Sequence, residues 1–165
     1  LDSRAGIDEV ASSCVTDLGA KLVLLFAIDS EQTWSGYRIL FQHWRTSGVV
    51  QAIRERLQMV GAVIPETDAA EYVAGLCESG YDLFTEELYD EVPPGEVTGE
   101  RWSFDVSDKN APHYPLVVRW HRGFAALRSL HTRLESIDAQ EVNTVFGSLI
   151  ENLAYTAANE GIEHG

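Results

Sequence analysis

The chain has 165 residues, 45% of them hydrophobic and 23% charged, which excludes wholesale disorder and is enough to bury a core without a metal or disulfide. A formal net charge of −14 excludes direct nucleic-acid binding and attraction to an anionic membrane. The longest apolar run, Leu22 to Ile28, falls well short of the ~18 residues of a membrane span, so one soluble domain over 1–165 is expected.

Residues 7–28 read as a helix, with Ile7, Cys14, Leu18, Leu22 and Leu25 recurring at helical spacing. Asp29-Ser30 ends it or caps the next, 31–46, whose Trp34, Tyr37, Phe41 and Trp44 share a face. A third helix is expected over 49–63, striped by Val50, Ile53, Leu57 and Val60 and stopped by Pro65. A fourth starts at Thr67-Asp68, where Asp68 and Glu71 have capping-box spacing, and Gly80 breaks or kinks it.

Residues 92–113 are irregular. They open on Pro93-Pro94-Gly95, and only Trp102, Phe104 and Val106 alternate, as in a short strand or hairpin arm. Residues 114–136 admit two readings. Leu116, Val118 and Trp120 could pair with 102–106, but the stripe Leu116, Trp120, Phe124, Leu127, Leu134 favours a helix. The last helix, 139–158, is capped by Asp138 with Glu141 completing the box, and would form an antiparallel hairpin with its predecessor. The expected fold is therefore all-α: an antiparallel bundle of about six helices carrying one irregular insertion. The 114–158 hairpin offers a surface for a homodimer.

The charge is uneven. Residues 64–115 hold thirteen acids and two bases, whereas from Lys109 to Arg133 there are five bases (Lys109, Arg119, Arg122, Arg128, Arg133) and no acid. Either the acidic segment folds against that basic stretch, or Glu86, Glu87, Asp90, Glu91, Glu96 and Glu100 form an exposed patch that steers a basic protein partner.

No catalytic constellation is recognisable. The chain lacks Gly-x-Ser-x-Gly, Gly-x-Gly-x-x-Gly and Walker patterns, so no cofactor is expected and the reading leans away from an enzyme. His131 and Glu135 lie four apart, too few ligands for a metal site. Cys14 and Cys77 read as buried free thiols, without Cys-x-x-Cys spacing. With no signal-peptide pattern, they point to a reducing, cytoplasmic setting. The start at Leu1 fits a processed, trimmed or excised chain.

Two local resemblances add alternatives. Glu86-Glu87-Leu88-Tyr89-Asp90 resembles the Glu-Glu-x-x-Asp motif of all-α nucleotide pyrophosphohydrolases, which implies magnesium ligation; the second acidic motif of that family is missing. Tyr37 to Trp44 and Ala52 to Leu57 resemble the helical ligand-binding half of tetracycline-repressor-type regulators, without the helix-turn-helix that precedes it there. That resemblance implies an apolar or aromatic ligand on the Trp34, Tyr37, Phe41 and Trp44 face. The leading expectation is a protein-interaction module that docks a basic partner, as an inhibitor, immunity protein, chaperone or nucleic-acid mimic would. A small-molecule-binding helical domain comes second and a metal-dependent nucleotide hydrolase third.

Overall fold

The computed structural model describes residues 20–93, 101–125 and 138–160. It is mixed α/β, which overturns the expected all-α bundle. Strand β1 (Val23–Ala27) leads to helix α1 (Glu31–Thr46), then a short α2 (Val50–Ile53) and a 3-10 turn (Arg54–Arg56) run into β2 (Leu57–Ile64). Helix α3 (Ala69–Glu87) follows, then β3 (Leu116–Arg119), a single turn α4 (Arg122–Ala125) and α5 (Ala139–Glu160). The strands form one parallel sheet in the order β1-β2-β3. Val23 lies beside Leu57, Leu25 beside Met59, and Gly61 beside Val117.

The corrections share one physical cause. Strands of a parallel sheet covered by crossover helices are continuous apolar runs rather than alternating ones. Val23-Leu24-Leu25-Phe26-Ala27 and Met59-Val60-Gly61-Ala62-Val63-Ile64 are such runs, and any run of this kind supplies residues at helical spacing. The helix expected over 7–28 is therefore strand over 23–27, and its part before residue 20 lies outside the described residues. The helix expected over 49–63 gives way to β2 from Leu57. At 116–119 the period-two reading is the structure, yet β3 pairs in parallel with β2 and not as a hairpin with 102–106. The helix expected over 114–136 is thereby replaced by strand at 116–119; residues 126–137 lie outside the described residues.

Helix α1 matches its expected bounds. Ser30 is its N-cap, in extended conformation, with Oγ accepting from the Thr33 amide at 3.2 Å. α3 and α1 both cover one face of the sheet, the arrangement that two crossovers of the same hand produce when the sheet grows in one direction. By register and alternation that face presents Val23, Leu25 and Ala27 beside Leu57, Met59 and Gly61. Phe41, Trp44, Ile53, Leu76, Leu83 and Phe84 complete the core. Gly61 lets α3 settle on the strand: a Cβ there would lie 3.0 Å from Leu76 Cδ1 and 3.1 Å from Ile64 Cδ1. Gly80 does not break α3. A Cβ at that position would lie 3.2 Å from the His113 carbonyl oxygen, so the glycine admits the 101–115 segment against the helix. Asp68 precedes α3 in a left-handed conformation (φ 55°) without a side-chain capping bond, unlike the expected box. α5 lies along β3, where Ser148 Oγ accepts from the Val117 amide at 3.2 Å and Phe146 meets Phe124 edge to face. Asp138 Oδ1 accepts from the Gln140 amide, as expected of a cap. Among the described residues no helix is long and apolar enough to cross a membrane.

Candidate functional site

Among the described residues, the acidic segment meets bases of α1 and the 3-10 turn and none of the 109–133 stretch. The C-terminal end of α3 carries the negative pole of the helix, so Glu86 and Glu87 there need cations. Helix α1 supplies them from positions one and two turns apart on the face it turns to α3. Arg38 donates to Glu86 at 2.6 Å, with both side chains about half exposed. The Glu87 side chain is only 6% exposed; it accepts from Gln42 Nε2 at 2.8 Å and lies 3.2 Å from Arg45. Asp90 takes both arms of Arg54, at 2.6 and 3.2 Å, and accepts from the Trp102 amide at 2.8 Å. The Arg54 hydrogen bond, reinforced by that amide, holds the Asp90 carboxyl below the usual carboxylate range against the opposing effect of burial. Arg54 also lies over the Trp102 ring, 4.9 Å from its centroid. Glu91 has an exposed side chain and its carbonyl accepts from Arg101. Glu96 and Glu100 lie outside the described residues. Of the basic stretch, Lys109, Arg119 and Arg122 are exposed; Arg128 and Arg133, like His131 and Glu135, lie outside the described residues.

Glu86, Glu87 and Asp90 thus answer to three different arginines and do not converge on a shared point, as magnesium ligands would. Among the described residues no three His, Cys, Asp or Glu side chains are grouped to hold a metal. The acids that remain outward are others. Helix α3 holds five acids and no base. Glu71, Glu78 and Asp82 are exposed on it and have no ion pair among the described residues; their spacings of seven and four place them on one face. Glu66 and Asp68 are exposed in the turn before them. Cys77 sits beside this stripe as a buried free thiol, its pKa raised by burial and by the neighbouring Glu78 charge.

The aromatic stripe of α1 is largely core. Phe41 and Trp44 are fully buried, with ring centroids 5.5 Å apart, and Phe84 of α3 meets Phe41 edge to face at 5.4 Å. Tyr37 donates to the Phe26 carbonyl at 2.7 Å, and burial pushes its hydroxyl pKa up to about 12. Trp34 is half-buried and donates from Nε1 to Asp29 Oδ1 at 2.9 Å.

That last contact leads to a feature the sequence reading missed, the carboxyl ends of the three strands. Asp29 follows β1; its amide donates to Tyr72 Oη at 2.8 Å, and its carboxylate lies close over Gly75 of α3. Beside it, β2 is bulged. Gly61 faces Val117 and Ile64 faces Arg119, so β2 fits one extra residue against β3. Val63 in that bulge has φ 58°, a conformation that a β-branched side chain rarely adopts, and is half exposed. After β3, the buried Nδ1 of His121 has no hydrogen-bond partner, and Trp120 is exposed. In open α/β sheets this is the edge where ligands bind. The only sequence signal was Asp-Ser closing an apolar run, which becomes informative once that run is read as a strand.

Compared with protein-family models, curated proteins and solved structures, the chain matches none.

Proposed function

We propose that this protein is an interaction module that docks a basic protein partner, and that the docking face is the outward stripe of α3, Glu71, Glu78 and Asp82. The observation that carries the reading is the division of acids on α3. Those at its C-terminal end are neutralised by α1, while the stripe has no base on its own helix. Such a face attracts cationic surfaces at long range and repels nucleic acid and anionic lipid. The buried free thiol of Cys77 suits a reducing, cytoplasmic setting. Retention on an immobilised lysine-rich protein, measured over a salt series, tests the reading. Retention at low salt that falls steeply by physiological ionic strength is expected, and binding that is absent or indifferent to salt rejects it.

A second reading rests on a separate observation, the strained bulge at Val63 beside Asp29. Strain of this kind gathers at ligand sites. It favours a small polar ligand at the carboxyl edge, approached by Asp29 and His121, rather than an apolar ligand among the buried α1 rings. Chemical-shift changes confined to residues 29–30, 63–68 and 120–122 on screening a polar ligand library would support it. A library that leaves these residues unmoved removes it.

A further inference from the structure

Segment 101–115 is irregular but closely held. Trp102, Phe104 and His113 pack with Tyr81, Phe84 and Tyr89 in one aromatic cluster. His113 is fully buried within it. Its Nδ1 lies 2.5 Å from Tyr89 Oη and its Nε2 lies 3.3 Å from the Val106 carbonyl. A carbonyl only accepts, so Nε2 carries the imidazole proton and Nδ1 accepts from the Tyr89 hydroxyl. Cys77 Sγ of α3 donates to the same Val106 carbonyl at 3.4 Å. Just beyond, the Pro112 carbonyl accepts from the Met59 amide at 2.8 Å, and the His113 backbone rests on Gly80.

We propose that 101–115 is an acid-released strap, latched by the Tyr89–His113 hydrogen bond to the turn just after α3 and by the Val106 carbonyl, which His113 and Cys77 share, to α3 itself. The chemistry is directional. A proton arriving on Nδ1 turns that atom into a donor, so Tyr89 must turn its O–H away to accept, and that hydrogen loses the acceptor it had. The imidazolium would sit among Tyr81, Phe84 and Tyr89. The ionisable groups that bear on it are Asp105 and Asp108 of the strap itself, with Tyr81, Tyr89 and Cys77 from the helix side. Asp105 is tied to Ser107 and Asp108 to the Asn110 amide, so both carboxylates are already engaged in the strap's own turns.

Burial lowers the His113 pKa, against the smaller raising effects of Val106, Asp108 and Asp105. The closed strap therefore binds fewer protons than the open one. Its contribution is complete above the ordinary histidine value near 6.5, and it declines as pH falls from there towards the lowered value. The other end of the strap, held by Asp90 and Arg54, stays latched to much lower pH because the Asp90 pKa is lowered too. Opening is thus one-sided: it frees 106–113 and uncovers Cys77 while 101–102 remains attached.

The test is the labelling rate of Cys77 in the full chain carrying Cys14→Ser, using 4,4′-dithiodipyridine, with rates normalised to a free thiol at each pH. Between pH 7.5 and 5 the normalised rate should rise, approaching about tenfold for each unit separating the open and closed histidine pKa values. In His113→Gln, which keeps a donor and an acceptor but does not titrate there, the rate should stay flat within about twofold, about 0.3 of a pKa unit of linkage. A rise of the same size in His113→Gln overturns the proposal, as does a flat profile in the parent. If His113→Gln does not fold at pH 7.5, Tyr89→Phe decides. It removes the bond that favours neutral histidine in the closed strap, so the rate at pH 7.5 should be higher and the rise towards pH 5 smaller than in the parent, and an unchanged profile overturns the latch.

Discussion

Replacing Asp90 with alanine removes three hydrogen bonds at once: two from Arg54 and one from the Trp102 amide. The Arg54 side chain, 11% exposed, would keep its charge without a counterion. Breaking a fully buried ion pair by deleting one partner costs about 3–5 kcal/mol. Asp90 is 33% exposed, so water replaces part of what is lost, and about 2–3 kcal/mol is the expected cost. For a domain of this size that corresponds to a fall of roughly 4–12 °C in Tm at pH 7, read by circular dichroism. Asp90→Asn, which keeps an acceptor for Trp102, should lose about half as much. The lowered pKa of Asp90 fixes the pH profile. Its contribution is present above the unfolded carboxyl value near 3.8 and is lost as pH falls through the folded value, so parent and variant should converge under acid. Glu86→Ala is the control. Its pair with Arg38 is about half exposed on both sides, and it should cost less than about 1 kcal/mol. Equal losses for Asp90→Ala and Glu86→Ala would refute the reasoning, since the difference in burial would then have no energetic consequence.

Further outcomes follow from the strands and caps. Gly61→Val places side-chain atoms where a Cβ alone would already lie 3.0 Å from Leu76, so a loss of about 1–3 kcal/mol in chemical denaturation is expected, and a neutral result would mean that α3 does not rest on β2 there. Val63→Gly relieves a left-handed valine and should raise stability by about 1 kcal/mol, read as a higher Tm; a fall would show that the bulge is not strained. Ser30→Ala removes the cap of α1 at a cost of about 1 kcal/mol in thermal melts, whereas Ser30→Asp should be close to neutral. A loss in both variants would place the role of Ser30 outside capping.

What the sequence disclosed divides along a physical line. Helices α1 and α5 were legible because each has one buried and one wet face and a side-chain cap, Ser30 or Asp138. The strands were not, because their residues are apolar on both faces and so show no alternation, even at Phe26, which is half exposed, and the seven apolar residues from Leu22 to Ile28 were the overlooked sign. The carboxyl edge at Asp29 depends on that sheet and so was hidden with it. Glu86, Glu87 and Asp90 stood out by composition, but only the fold shows Arg38, Arg45 and Arg54 reaching them from sequence separations of 36 to 48 residues. His113 carried no periodic signal at all. Its burial follows from Tyr89, Gly80 and Val106 meeting in space.

The proposed docking role gives the inner and outer acids on α3 different tasks. Affinity for a lysine-rich protein at low salt, compared between Glu78→Lys/Asp82→Lys and Glu86→Gln in otherwise identical full-length chains, tests it most directly. The outward double reversal should weaken binding at least tenfold, about 1.4 kcal/mol, while Glu86→Gln should change it by less than about threefold. Equal losses in the two variants, or none in the double reversal, would contradict it.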